Sequence, residues 1–186
     1  MKVKYIVLAV LAMFSFSGCD EEYAKVPLTV PVDFSKKGTV YETDFQAPWN
    51  IWGSLVGFYM GAHSHWDSVG DEGNKINDCI RNGHPQKTTS YFKVKITLTP
   101  LGWASHEVPI MLGQFGNRQE KLYTKEQKIE EIVSIPLYGG GYDKTLMIAD
   151  LQRLRNYHIR VESLEDVDIP KGVSTDFNIN RFSTKH

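Results

Sequence analysis

The chain of 186 residues has only two cysteines, Cys19 and Cys79, so no disulfide framework can hold it together and its fold must rest on an apolar core. It has no excess of one charge: 21 Lys and Arg stand against 22 Asp and Glu, a formal net charge of -1. That balance argues against a nucleic-acid partner, whose binding draws on neutralised phosphates. A membrane-spanning helix needs about 20 apolar residues, and Tyr5 to Phe16 falls short of that. Repeats and low-complexity stretches are missing too. So are the marks of catalysis. No G-x-S-x-G surrounds a serine, and Gly139-Gly140-Gly141 between Tyr138 and Tyr142 lacks the strand, lysine and helix of a phosphate loop. Glu162, Glu165, Asp166 and Asp168 lack the spacing of a calcium loop and read as a solvated turn. The expectation is a protein that is not an enzyme and carries no cofactor.

What is present begins at the N-terminus. Lys2 and Lys4 precede the apolar run, and the small residues Ser17 and Gly18 lead into Cys19. This is the pattern of a signal peptide. The tetrad Phe16-Ser17-Gly18-Cys19 resembles the lipobox of bacterial lipoproteins, with Phe16 where Leu is usual. The resemblance implies cleavage before Cys19 and acylation of that cysteine, and several acyl chains anchor a protein stably. It divides the chain into a signal peptide (1–18), a lipidated tether (19–27) and a folded domain (28–186). In such lipoproteins an acidic residue after the cysteine favours retention at the inner membrane. Asp20 and Glu21 therefore imply the periplasmic face of the inner membrane, with the outer membrane as the alternative. With Cys19 acylated, Cys79 has no intramolecular partner: it is a buried inert thiol, or a reactive or intermolecular one.

The domain reads as strands. Tyr91 to Thr99 puts Phe92, Val94, Ile96 and Leu98 on one face and Lys93, Lys95, Thr97 and Thr99 on the other. Leu28–Phe34 and Thr39–Phe45 form a hairpin-like pair around Ser35 to Gly38. Ile51–Met60 is a buried strand with a bulge at its glycines. Glu107–Phe115, Glu131–Tyr138, Lys144–Ile148, Asn156–Glu162 and Thr175–Phe182 complete the set, with one or two helical turns expected over Tyr123–Glu130. Eight or nine short strands indicate an all-β fold, an immunoglobulin-like or fibronectin-like β-sandwich with one long inserted loop and little helix. Tyr157 follows a turn in the manner of a tyrosine whose hydroxyl bonds back to the upstream backbone.

Ala62 to Ser90 is the long loop, and loops of that length are commonly functional. Ile76 to Arg81 reads as a short helix within it, with Ile76 and Ile80 inward. His63 and His65, two apart on extended chain, are weak candidates for a metal, and no second ligand pair is spaced to complete a site. Trp66 with Asp67, Asp71 and Glu72 is the first candidate for partner contact, and the turn at Trp103 the second, since interfaces use exposed aromatics and charges. Trp49 and Trp52 read as core or edge packing.

A lipobox, a compact sandwich and no catalytic motif together resemble the immunity lipoproteins that accompany antibacterial toxins, notably lipase effectors of type VI secretion. Tyr91–Pro100 and Leu151–Ser163 also resemble a family of small periplasmic lipoproteins of unknown function. The resemblance implies a protein that binds and occludes a toxin such as a phospholipase, and a membrane contact through its lipid. The alternatives are an accessory lipoprotein of an envelope or secretion assembly, and a periplasmic ligand- or metal-binding domain.

Overall fold

The computed structural model describes residues 23–49, 55–64, 70–83, 90–102, 108–114, 117–123 and 128–182; at 70, 72, 108–114 and 117–123 it describes the backbone alone. Among these residues ten strands and one helix follow in order: β1 (Leu28–Pro31), β2 (Val40–Gln46), β3 (Leu55–Ser64), α1 (Gly70–Asn82), β4 (Tyr91–Pro100), β5 (Val108–Gln114), β6 (Asn117–Tyr123), β7 (Ile129–Pro136), β8 (Asp143–Asp150), β9 (Asn156–Ser163) and β10 (Val173–Arg181). One sheet runs β1-β10-β3-β8-β5-β6 and the other β2-β9-β4-β7. All these pairings are antiparallel.

The chain adopts the all-β sandwich expected from its alternating segments. Without the β5–β6 hairpin, the two sheets are β1-β10-β3-β8 and β2-β9-β4-β7, the strand order of a jelly roll. The last two strands, neighbours in one sheet of an immunoglobulin-like sandwich, here lie in different sheets. β1 and β2 are likewise not a hairpin. β1 pairs with β10 and β2 with β9, because Val32 to Gly38 carries the chain from one sheet to the other. Thr175 holds that crossing: its backbone carbonyl accepts from the Val32 N–H at 3.1 Å and its Oγ1 accepts from the Phe34 N–H at 2.9 Å.

Alternation explains the core. Phe92, Val94, Ile96 and Leu98 of β4, Val56, Phe58, Met60 and Ala62 of β3, and Tyr157, Ile159 and Val161 of β9 are fully buried. Phe45 joins the sheets, edge-on to Phe58 at 5.8 Å and stacked on Tyr157 at 5.9 Å. The Tyr157 hydroxyl accepts the Gln152 N–H at 3.0 Å, the bond expected of it.

Two segments differ from expectation. Asn117–Tyr123 is a strand paired along its length with β5, and Tyr123 and Ile129–Glu130 are strand rather than helical turn. Hairpin pairing overrides a polar sequence with no alternation. In the expected long loop, 62–64 complete β3 and 70–82 form α1. The helix runs over more residues than the 76–81 read from sequence because Gly73, Asn77 and Ile80 all face inward, with Ile76 partly buried beside them.

The outer face of the four-stranded sheet is a ladder of opposite charges. Arg160 bridges Glu42 at 2.8 Å and Glu162 at 3.3 Å, and Glu130 joins Lys95 at 2.8 Å and Lys128 at 3.3 Å. Lys93 pairs with Glu165 at 2.9 Å, and the Lys37 N–H donates to Asp166 at 2.9 Å. Of the acidic residues read as a solvated turn, Glu162, Glu165 and Asp166 each make a local contact.

Candidate functional site

The antiparallel register places α1 at one end of the sandwich, where β3 and β7 finish and β8 starts. The opposite end holds the close of β2, β4 and β8 and the opening of β9. The two ends have different chemistry.

At the first end the C-terminus of α1 is locked. The last carbonyls of a helix lack intrahelical donors, and here each of three finds one elsewhere. Cys79 accepts from the Gly83 N–H at 2.9 Å and the Gly139 N–H at 3.1 Å, and Arg81 from the Gly141 N–H at 3.1 Å. Ile80 accepts from Lys144 Nζ at 3.2 Å. Lys144 also donates to the carbonyls of Gly139 and Gly141. Gly139, Gly140 and Gly141 all have φ between +81° and +87°, and a Cβ on Gly139 would lie 3.5 Å from the Gly83 backbone. The triple glycine is thus the bed on which the helix end rests. Lys144 is 4% exposed, and burial pushes its amine down to about 8 while Asp143 works the other way. At the start of the helix the Ser64 hydroxyl reaches the Gly73 carbonyl at 3.4 Å.

The solvent face of α1 carries Asp71, Asn74, Lys75, Asp78 and Arg81, all exposed. Asp71 in the first turn and Arg81 in the last match the helix dipole. Tyr91, 55% exposed, belongs to the same end, since Ser90 before it accepts from the Leu137 N–H at 2.8 Å. Cys79 is free and half-buried on α1.

Beside α1, on the outer face of the six-stranded sheet, His63 Nε2 lies 3.1 Å from Asp176 Oδ2. The Asn178 amide donates to the other carboxylate oxygen at 2.6 Å, and Thr29 donates to Asn178 at 2.5 Å. Gly61 makes room for this row: a Cβ there would lie 2.2 Å from Asp176 Oδ1 and 2.6 Å from His63 Nε2. The His63 ring stacks on Tyr142 at 5.9 Å. The hydrogen bond to Asp176 raises the His63 pKa, against its partial burial, with the charges of Asp176 and Asp143 adding to the rise.

At the second end, Trp49 is 59% exposed and the Arg153 guanidinium lies 5.7 Å from its ring centroid. Trp49 is therefore not core packing. Leu154 is 52% exposed and has φ +57°, left-handed backbone that a leucine rarely adopts. It is held there by bonds on both sides: its N–H donates to Ala47 at 3.1 Å, and its carbonyl accepts from the Gln46 amide at 3.2 Å. Arg155, buried, fastens the turn after β4 by donating to the carbonyls of Leu101 at 3.2 Å and Gly102 at 2.7 Å.

Of the residues read from sequence as partner contacts, Asp71 is exposed at the first end, and Glu72 lies in α1 without a described side chain. Trp66, Asp67, Trp103, His65, Trp52 and the N-terminal Cys19, Asp20 and Glu21 lie outside the described residues. Gly102, the described residue before Trp103, lies at the second end. His63 is committed to Asp176, and no cluster of three metal-binding side chains occurs among the described residues. Asp176 and Asn178 escaped sequence reasoning because their contact with His63 depends on the pairing of β10 with β3.

Among the described residues no helix is long and apolar enough to cross a membrane. No protein-family model matches the chain, and no curated protein matches it. Among solved structures it is similar to a protein from Sulfurospirillum deleyianum, with a TM-score of 0.55 and 16% identity, over 86% of this chain and 99% of that one. A likeness at that identity concerns the fold alone, and the fold is the sandwich.

Proposed function

We propose that this chain is a lipid-anchored protein of the periplasmic face of the inner membrane that acts by binding: an immunity protein that occludes an antibacterial toxin such as a phospholipase. The observation that carries the reading is the locked helix. α1 is fixed at its C-terminus by Gly83, Gly139, Gly141 and Lys144, and its outer face offers charges of both signs. A rigid, charged element loses little freedom on association, and charge pairing across an interface gives it specificity. The lipobox supplies the address, and occlusion needs no catalytic group.

The test is co-expression with a toxin encoded beside this protein and directed to the periplasm. The wild-type chain protects the cells one-for-one. Replacing Trp66, Asp67, Asp71 and Glu72 together abolishes protection while leaving the melting temperature in place. Equal protection by that variant would remove the α1 end as the contact. Absence of protection by the wild type, with no binding to the toxin, would end the immunity reading.

A further inference from the structure

The chain enters the sandwich at the second end. Ala24 pairs with Phe45 in a parallel bridge, its N–H donating to the Asp44 carbonyl at 3.0 Å, close to where β2 finishes. Only then does the chain run along β1 toward the end that holds α1. From Cys19 to Ala24 a fully extended chain reaches at most ~18 Å. A lipid on Cys19 therefore holds Ala24, and with it the second end, within about 18 Å of the bilayer.

The chemistry of that end fits such a neighbour. Trp49 is a large amphipathic ring, the kind of side chain enriched at the level of lipid headgroups. Leu154 stands out beside it at the tip of a turn whose left-handed backbone is fixed by Ala47 and Gln46. Arg153 over the Trp49 ring, with exposed Lys25 and Arg181 on the neighbouring entry and exit segments, supplies positive charge for anionic headgroups.

We infer that Trp49, Arg153 and Leu154 form a membrane-docking surface that seats the tethered domain on an anionic bilayer. The inference rests on the lipid-anchor reading for its geometry, and on the three side chains for its chemistry. Docking holds the sandwich upright, so that α1 faces away from the membrane.

The test uses vesicles of phosphatidylethanolamine and phosphatidylglycerol with brominated acyl chains, which quench tryptophan at the bilayer surface. Full-length lipidated protein is compared with its Trp49→Phe, Leu154→Asp and Arg153→Glu variants. A secreted chain with Cys19→Ser serves as the unacylated form. The expected result is quenching that Trp49→Phe largely removes and that Leu154→Asp and Arg153→Glu each weaken. Protein that takes up labelled palmitate and floats with the vesicles, yet shows no quenching dependent on Trp49, overturns the docking surface and leaves the anchor intact. Protein that takes up no palmitate and shows no such quenching overturns both. Quenching that depends on Trp49 without palmitate supports the surface and removes the anchor. Unchanged quenching in all three variants overturns the proposal.

Discussion

The two ends of the sandwich solve opposite problems. At the α1 end glycines take the left-handed positions at 83 and 139–141 and a buried lysine completes the helix, with only the buried Asn77 amide nitrogen left without a partner among the described residues there. At the other end a leucine holds a left-handed position and points to water, and a tryptophan lies beside it. Neither exposure nor strain of that kind helps folding. Left-handed backbone at a non-glycine residue costs on the order of 1 kcal/mol and persists where surrounding structure imposes it. Internal bonds fix the frame of one end, while the exposed and strained side chains of the other fit the membrane docking proposed for it. Substitutions should divide accordingly.

The largest effect is expected at Lys144. Lys144→Met keeps most of the side-chain volume and removes the donor to the carbonyls of Ile80, Gly139 and Gly141. Buried carbonyls left without partners cost about 1–3 kcal/mol each at most, and their effects overlap, so a loss of about 2–4 kcal/mol is expected in urea unfolding. Hydrogen exchange should show α1 loosening first. A variant as stable as the wild type would mean that the helix is held without the lysine, by Ile76 and Ile80 and by the N–H groups of Gly83, Gly139 and Gly141.

Leu154→Gly should run the other way. Its side chain is half in solvent, so little burial is lost, and glycine adopts φ +57° without penalty. The fold should be unchanged or stabilised by up to about 1 kcal/mol, once the freer unfolded chain is allowed for. Vesicle docking should weaken. A variant that is more stable and docks less well is the signature of a residue kept for contact. Marked destabilisation would show that Leu154 is packed in solution, and the contrast between the ends would shrink.

How much of this was readable in the chain depends on how local the signal is. β4 and β9 alternate strictly between apolar and polar residues, so their faces were plain, and the Tyr157 bond follows from the turn before it. Strand partners are another matter. Nothing in Leu28–Pro31 says that it pairs with β10 rather than with the nearby β2, and the row of His63, Asp176 and Asn178 depends on such a distant pairing. Gly70, Gly73 and Asn74 are poor helix formers, so α1 was legible only around its two isoleucines; burial of Gly73 against the sheet supplies what propensity lacks. The triple glycine showed in sequence only that it is no phosphate loop, because a helix docking on it has no local trace. Lys144 looked like an ordinary member of a short apolar strand. The left-handed Leu154 is invisible in sequence, since a leucine is the last residue one would place there.

The smallest effect separates the ends by pH. His63 stands beside α1 and faces Asp176 and Ser174 on β10 and Tyr142 and Asp143 at the start of β8. Its pKa in the folded chain is raised, chiefly by the hydrogen bond to Asp176, above the unfolded value near 6.5. A raised pKa means the folded state holds its proton more tightly. The pair therefore contributes fully below about pH 6.5, and that contribution is lost as pH climbs through the folded value. With the His63 side chain 45% exposed, solvent screening keeps the contribution below about 1 kcal/mol. Urea unfolding followed from pH 5.5 to 7.5, below the range where Lys144 titrates, should show this decline in the wild type and not in Asp176→Asn, which keeps the shape of the side chain and removes its charge. Nuclear magnetic resonance of the imidazole should show its titration moving down in the same variant. Leu154→Gly, at the far end, should leave both measurements where they are. If it moved the His63 titration, the two ends would be coupled through β8 and β10, and their division of labour would have to be given up.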